Sequence, residues 1–133
     1  MKIQVTAIIE KNSDGKYSCS IEQRLGNYGI AGYGDTVEEA KSDMLECYDE
    51  MKEINAERNI ETPELDFLYK YDIQSFFNYF NFFNVSKIAE KAGINPSLLR
   101  QYASGVAFAS EKQYQKLRLA IEAIKSDLQL AVF

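Results

Sequence analysis

The segment Asn84 to Gly105, NVSKIAEKAGINPSLLRQYASG, constrains the chain most, because almost every residue in it has one conformation that suits it. Ile88 and Ala92 are apolar and one turn apart on a first helix. Ala89 is small where a second helix would pass close. Gly93 ends that helix at a position that calls for a left-handed backbone, which glycine adopts at least cost. Ile94 fills the turn. Asn95 can cap the next helix through its side-chain oxygen, and Pro96 follows at the first helical position, where its missing N–H costs nothing. Leu99 and Tyr102, three apart, are expected to be buried, leaving Ser97, Leu98, Arg100 and Gln101 on the outer face. The segment therefore reads as a helix-turn-helix.

That outer face carries the functional expectation. Arginine pairs with guanine and glutamine with adenine in the major groove, and the apolar tip of Leu98 suits a thymine methyl. The plainer alternative is a helical hairpin that only packs. The segment resembles the helix-turn-helix of the phage-repressor (Xre-like) superfamily. The resemblance implies that Ser97, Arg100 and Gln101 face bases while Ser86, Asn95 and Ser104 contact phosphate. Pro96 departs from it by removing a side chain that many relatives use for a base contact. Lys87 and, in the first turn of a later helix, Lys112 are further candidates for phosphate.

Charge is divided along the chain. Residues 85–133 hold seven Lys/Arg against four acids, a net +3, which leaves −8 for residues 1–84 and −5 overall. A basic C-terminal half can approach phosphates, while an acidic half would be repelled and serve a different partner. Histidine is absent, which removes the commonest general base and the commonest transition-metal ligand. Cys19 and Cys47 have no metal-ligand spacing and read as reduced core thiols. No apolar run reaches the roughly 20 residues of a membrane span. The start, MKIQVTAIIEK, alternates like a strand instead of forming a leader, so a cytoplasmic protein is expected.

The first half reads as strand, hairpin, strand, strand, helix. Ile3, Val5, Ala7 and Ile9 alternate with neighbours on the other face, Asn12-Ser13-Asp14-Gly15 is a turn signal, and Lys16 to Glu22 alternates again. A third strand fits Tyr28 to Gly34. Thr36 and Glu39 form a capping box at the start of a long helix, whose stripe is Val37, Ala40, Met44, Cys47/Tyr48, Met51 and Ile54. Leu65 to Tyr71 can rejoin the sheet as a fourth strand. Asp72 to Asn84 reads as an aromatic helix with Phe76, Phe80 and Phe83 on one stripe. Ser110 to Leu130 reads as a final amphipathic helix with Tyr114, Leu117, Ile121 and Ile124 spaced for a core.

The stretches DGKYSCSIEQ and GYGDTVEEAKSDMLE, at residues 14–23 and 32–46, resemble the N-terminal domain of HicB-type antitoxins. The family's Pro- and Gly-Cys-containing segment is replaced here by QRLGNYGI, Gln23 to Ile30. The resemblance implies a partial ribonuclease-H-like β-β-β-α-β domain that binds a small basic, mRNA-cleaving HicA-type toxin, followed by a DNA-binding tail. The expected architecture is thus α+β: a small antiparallel sheet packed by a long helix over residues 1–71, then an all-α helix-turn-helix domain over 72–133. Its expected partners are operator DNA, a basic toxin and a second copy of itself, as a homodimer or higher homo-oligomer. No cofactor, metal, membrane partner or enzymatic activity is expected, because inward strand positions are apolar and the acids lie on a helix face. Two other readings remain: a protein-interaction module with a purely structural helix pair, and a degenerate metal-dependent nuclease acting on RNA.

Overall fold

The computed structural model describes residues 2–23 and 29–133, and it divides into two compact units, Met1–Tyr79 and Phe80–Phe133. The first holds strands β1 (Lys2–Lys11), β2 (Tyr17–Ile21), β3 (Ala31–Gly34) and β4 (Glu64–Tyr71), with helices α1 (Val37–Glu57) and α2 (Ile73–Tyr79). The second holds α3 (Val85–Ala92), α4 (Pro96–Ser104) and α5 (Glu111–Gln129). Part of the expected third strand, at Tyr28, and most of the Gln23 to Ile30 stretch lie outside the described residues.

The sheet order is β3-β2-β1-β4. β1 and β2 form the expected hairpin, closed by the Asn12 N–H on the Lys16 carbonyl at 2.7 Å and by Gly15 at φ +84°. β4 pairs with β1 in parallel, Val5 opposite Phe67, so the sheet is mixed and the antiparallel expectation is corrected. The cause is α1. A helix of 21 residues returns the chain to the end of the sheet from which β3 set out, so β4 must run in the direction of β3 and therefore of β1.

Period-two alternation buries Val5, Ala7 and Ile9 of β1 with Tyr17 and Cys19 of β2 against Val37, Ala40, Met44, Tyr48 and Met51 of α1. The Cys19 thiol lies 3.4 Å from the Met44 sulfur, and burial pushes its pKa up to about 11, which suits an inert core thiol. Two details differ from the sequence expectation. The reciprocal bond of the capping box comes from the Asp35 N–H, one residue before the Thr36 cap, to the Glu39 carboxylate at 2.8 Å. At the other end of α1, Ile54 is exposed and Asn55 is buried, its side-chain amide donating to the Thr62 hydroxyl at 2.9 Å. The Tyr48 hydroxyl anchors β4, donating to the Pro63 carbonyl at 2.8 Å and accepting from the Leu65 N–H at 3.2 Å.

The aromatic helix is shorter than its pattern predicts. Asp72 caps α2 through the Ser75 N–H at 2.8 Å, but α2 stops at Tyr79 and Phe80 to Phe83 form a turn. Asn84 explains the stop. It is the N-cap of α3, in extended backbone, and a cap cannot also be a helix interior. The Phe76, Phe80 and Phe83 stripe is consequently broken: Phe77 is buried and Phe82 is exposed. α2 packs on β1, α1 and β4, which places the division between units after Tyr79, eight residues beyond the expected boundary at Tyr71.

A cluster around Lys41 secures α2. The Lys41 ammonium stands 3.6 Å from the Tyr79 ring centre and 4.0 Å from that of Tyr69, and it donates to the Tyr71 hydroxyl at 2.6 Å. Burial lowers the Lys41 pKa and raises that of Tyr71, each by disfavouring the charged form. Ring faces favour the charged lysine in such a setting. Lys41→Met keeps the stem and removes the charge. It is expected to cost about 1–2 kcal/mol of stability in chemical denaturation, the range for a partly desolvated cation over aromatic faces.

Candidate nucleic-acid interface

α3 and α4 are joined by Gly93-Ile94-Asn95. Gly93 is left-handed at φ +71°, and its N–H and that of Ile94 return to the carbonyls of Glu90 and Ala89 at 3.3 and 3.0 Å. Asn95 Oδ1 accepts from the N–H groups of Ser97 and Leu98 at 2.9 and 3.3 Å, and Pro96 occupies the first turn of α4. Gly105, at φ +84°, closes that helix. Ile88, Ala89, Ile94, Leu99 and Tyr102 are buried between the helices, Leu99 completely. Each of these positions was read from the sequence.

On the outer side, Ser97, Arg100 and Gln101 are exposed on α4 and Leu98 is half-buried beside them. Ser97 and Gln101 are four residues apart and so share one face of the helix. Arg100 Nη1 donates to the Ser86 hydroxyl of α3 at 2.6 Å. This bond joins an expected base-reading residue to an expected phosphate-binding one and holds the guanidinium across the pair of helices. Asn95 is exposed with its oxygen committed to the cap, so its amide NH₂ is the part left to meet a phosphate. The Ser104 hydroxyl donates to the Gln101 carbonyl at 3.2 Å. Lys87 pairs with Glu90 at 3.6 Å in a solvent-exposed, readily exchanged contact. Lys112 is exposed in the first turn of α5, which Ser110 caps.

Sequence reasoning missed Lys116. Its ammonium donates to the Gly93 carbonyl at 3.4 Å, tying α5 to the end of α3 and steadying the turn from behind. No local signal marks a contact 23 residues apart. The Lys41 cluster was missed for the same reason, since its rings arrive from β4 and α2.

Among the described residues no group of three or more His, Cys, Asp or Glu is placed to hold a metal ion, and no helix is long and apolar enough to cross a membrane. The acidic face of α1 is exposed, and two of its members serve the backbone: Asp43 accepts from the Tyr33 N–H at 2.9 Å and Glu39 from that of Asp35. The chain matches no protein-family model, no curated protein and no solved structure.

Proposed function

We propose that the chain is a cytoplasmic, sequence-specific DNA-binding regulator of HicB antitoxin type, in which α3 and α4 form a helix-turn-helix and α4 enters the major groove. The observation that carries the reading is the outer face of α4: exposed Ser97, Arg100 and Gln101, with Arg100 braced on Ser86. Such a face offers a guanidinium for guanine and a carboxamide for adenine. Leu98 adds an apolar edge. Ser86, Lys87, Asn95, Ser104 and Lys112 supply phosphate contacts, and the +3 charge of residues 85–133 supplies attraction. One recognition helix reads too few base pairs for useful specificity, so the regulator acts as a dimer on a two-fold operator. The acidic first half, at −8 over residues 1–84, suits capture of a small basic toxin of the HicA type.

A different reading, a protein-interaction module whose helix pair is structural, draws support from Val106 and Phe108, which stand exposed just after α4. Anisotropy with labelled DNA from directly upstream of the coding sequence, beside an unrelated duplex and at two salt concentrations, separates the two. Selective binding to the upstream duplex is expected. Weak binding to both duplexes with a steep salt dependence would reduce the basic half to a nonspecific patch. No binding at low salt would sink the DNA reading at that site and move the weight to the protein-interaction module.

A further inference from the structure

Between α4 and α5 the chain exposes its large side chains and shelters its small ones. Ala107 and Ala109 are half-buried, while Val106 is 76% and Phe108 88% exposed. Burial alone would favour the reverse, since a ring removes far more apolar area from water than a methyl. Nor is the segment loose. The Gln101 carbonyl accepts from the Val106 and Ala107 N–H groups at 3.0 and 3.3 Å and from the Ser104 hydroxyl at 3.2 Å, which fastens the turn to the end of α4. Two large apolar side chains are thus held in water, at a fixed place beside the expected reading face.

We propose that Phe108, with Val106 beside it, packs on the deoxyribose of the DNA backbone at the edge of the groove that α4 enters, as a non-ionic clamp. The inference rests on the DNA reading. Ser97, Gln101 and Ser104 are exposed at spacings of four and three, one stripe that runs along α4 toward this turn. A recognition helix meets bases through its N-terminal residues, and the nine residues of α4 span roughly 13 Å at about 1.5 Å each. A major groove is about 12 Å wide, so the turn that follows α4 comes to its wall, where the sugars and phosphates are. Charge agrees. No acidic residue occurs between Glu90 and Glu111, so no carboxylate of α4 or the turn repels a phosphate, and Lys112 stands just beyond. Between the phosphates lie the sugars, the less polar part of the backbone, which suits a ring and carries no sequence information.

Anisotropy with the upstream and the unrelated duplex, each over a series of salt concentrations, compares wild type with Phe108→Ala and Phe108→Leu. Phe108→Ala is expected to weaken binding to both duplexes about equally, by roughly 10-fold, the scale of one partly buried large apolar side chain. Its salt slope should match wild type, because no phosphate contact is lost, whereas Lys112→Ala should make the slope shallower by about one. Phe108→Leu, which keeps an apolar side chain, should recover most of the loss. Because Phe108 is so exposed, both variants should melt with wild type. Unchanged affinity in Phe108→Ala, with wild type selective for the upstream duplex, overturns the clamp alone and leaves Phe108 to a protein partner. A loss confined to the upstream duplex overturns it by placing the ring on a base, and a shallower slope overturns it by tying Phe108 to a phosphate contact. Equal, weak binding of wild type to both duplexes, with the Phe108→Ala loss intact, sinks the regulator and keeps the clamp. Wild type that binds neither duplex sinks both.

Discussion

Arg100→Ala is expected to cost the protein roughly 10- to 100-fold in preference for its operator, while its binding to unrelated DNA changes little. The range is that of one bidentate arginine–guanine pair, about 1–3 kcal/mol of discrimination. The loss should concentrate at one base pair in each half-site. An operator changed at that pair would bind wild type and variant alike. Ser86→Ala tests the brace. If Ser86 holds Arg100 in place, its removal lowers preference at the same base pair and Ser86→Thr restores it, because threonine keeps the hydroxyl. If Ser86 only meets a phosphate, its loss weakens all DNA about equally, as Lys87→Ala should, with a salt slope shallower by about one. Operator affinity unchanged in Arg100→Ala would show that α4 does not present this face to bases.

Much of this site was legible because its causes are local. Caps and turns are decided by residues within four positions of one another: Asn95 against Ser97 and Leu98, Gly93 with its left-handed φ, Ser110 against Gln113. The outer face of α4 followed from which side was apolar. The brace between Arg100 and Ser86 did not, since each was assigned a separate role and only the crossing of α3 and α4 brings them together. The direction of β4 was not legible either. Alternation along Leu65, Phe67, Tyr69 and Tyr71 says which face is inward and is silent on which way a strand runs. The aromatic run after Asp72 misled for a physical reason: Phe76, Phe80 and Phe83 in helical register looked like one stripe, while the cap at Asn84 required the helix to have ended.

Among the described glycines of the first unit, Gly32→Ala is expected to be the most damaging substitution. β3 carries Gly32 opposite Cys19 of β2, beneath α1, and a Cβ there would fall inside hard contact with the Met44 amide nitrogen and the Ala40 carbonyl oxygen, with the Asp43 carbonyl carbon at 2.8 Å. All three are helix backbone. A side chain could rotate away, but a helix can yield only by lifting as a body, which would separate Val37, Ala40 and Met44 from the sheet they seal. Overpacking that a core can absorb costs about 1–3 kcal/mol; this one, with no rotamer to relax, should sit at or above the top of that range. For a domain of this size, about 3 kcal/mol lowers the melting temperature by roughly 12–24 °C. Gly29→Ala provides the comparison, since a Cβ at Gly29 meets nothing within 4 Å and should shift stability by less than about 0.5 kcal/mol. Thermal unfolding followed by circular dichroism would show the difference. Equal melting of the two variants would mean that α1 does not ride on β3 as closely as described, and that the long acidic helix is held chiefly by its contacts with β1 and β2.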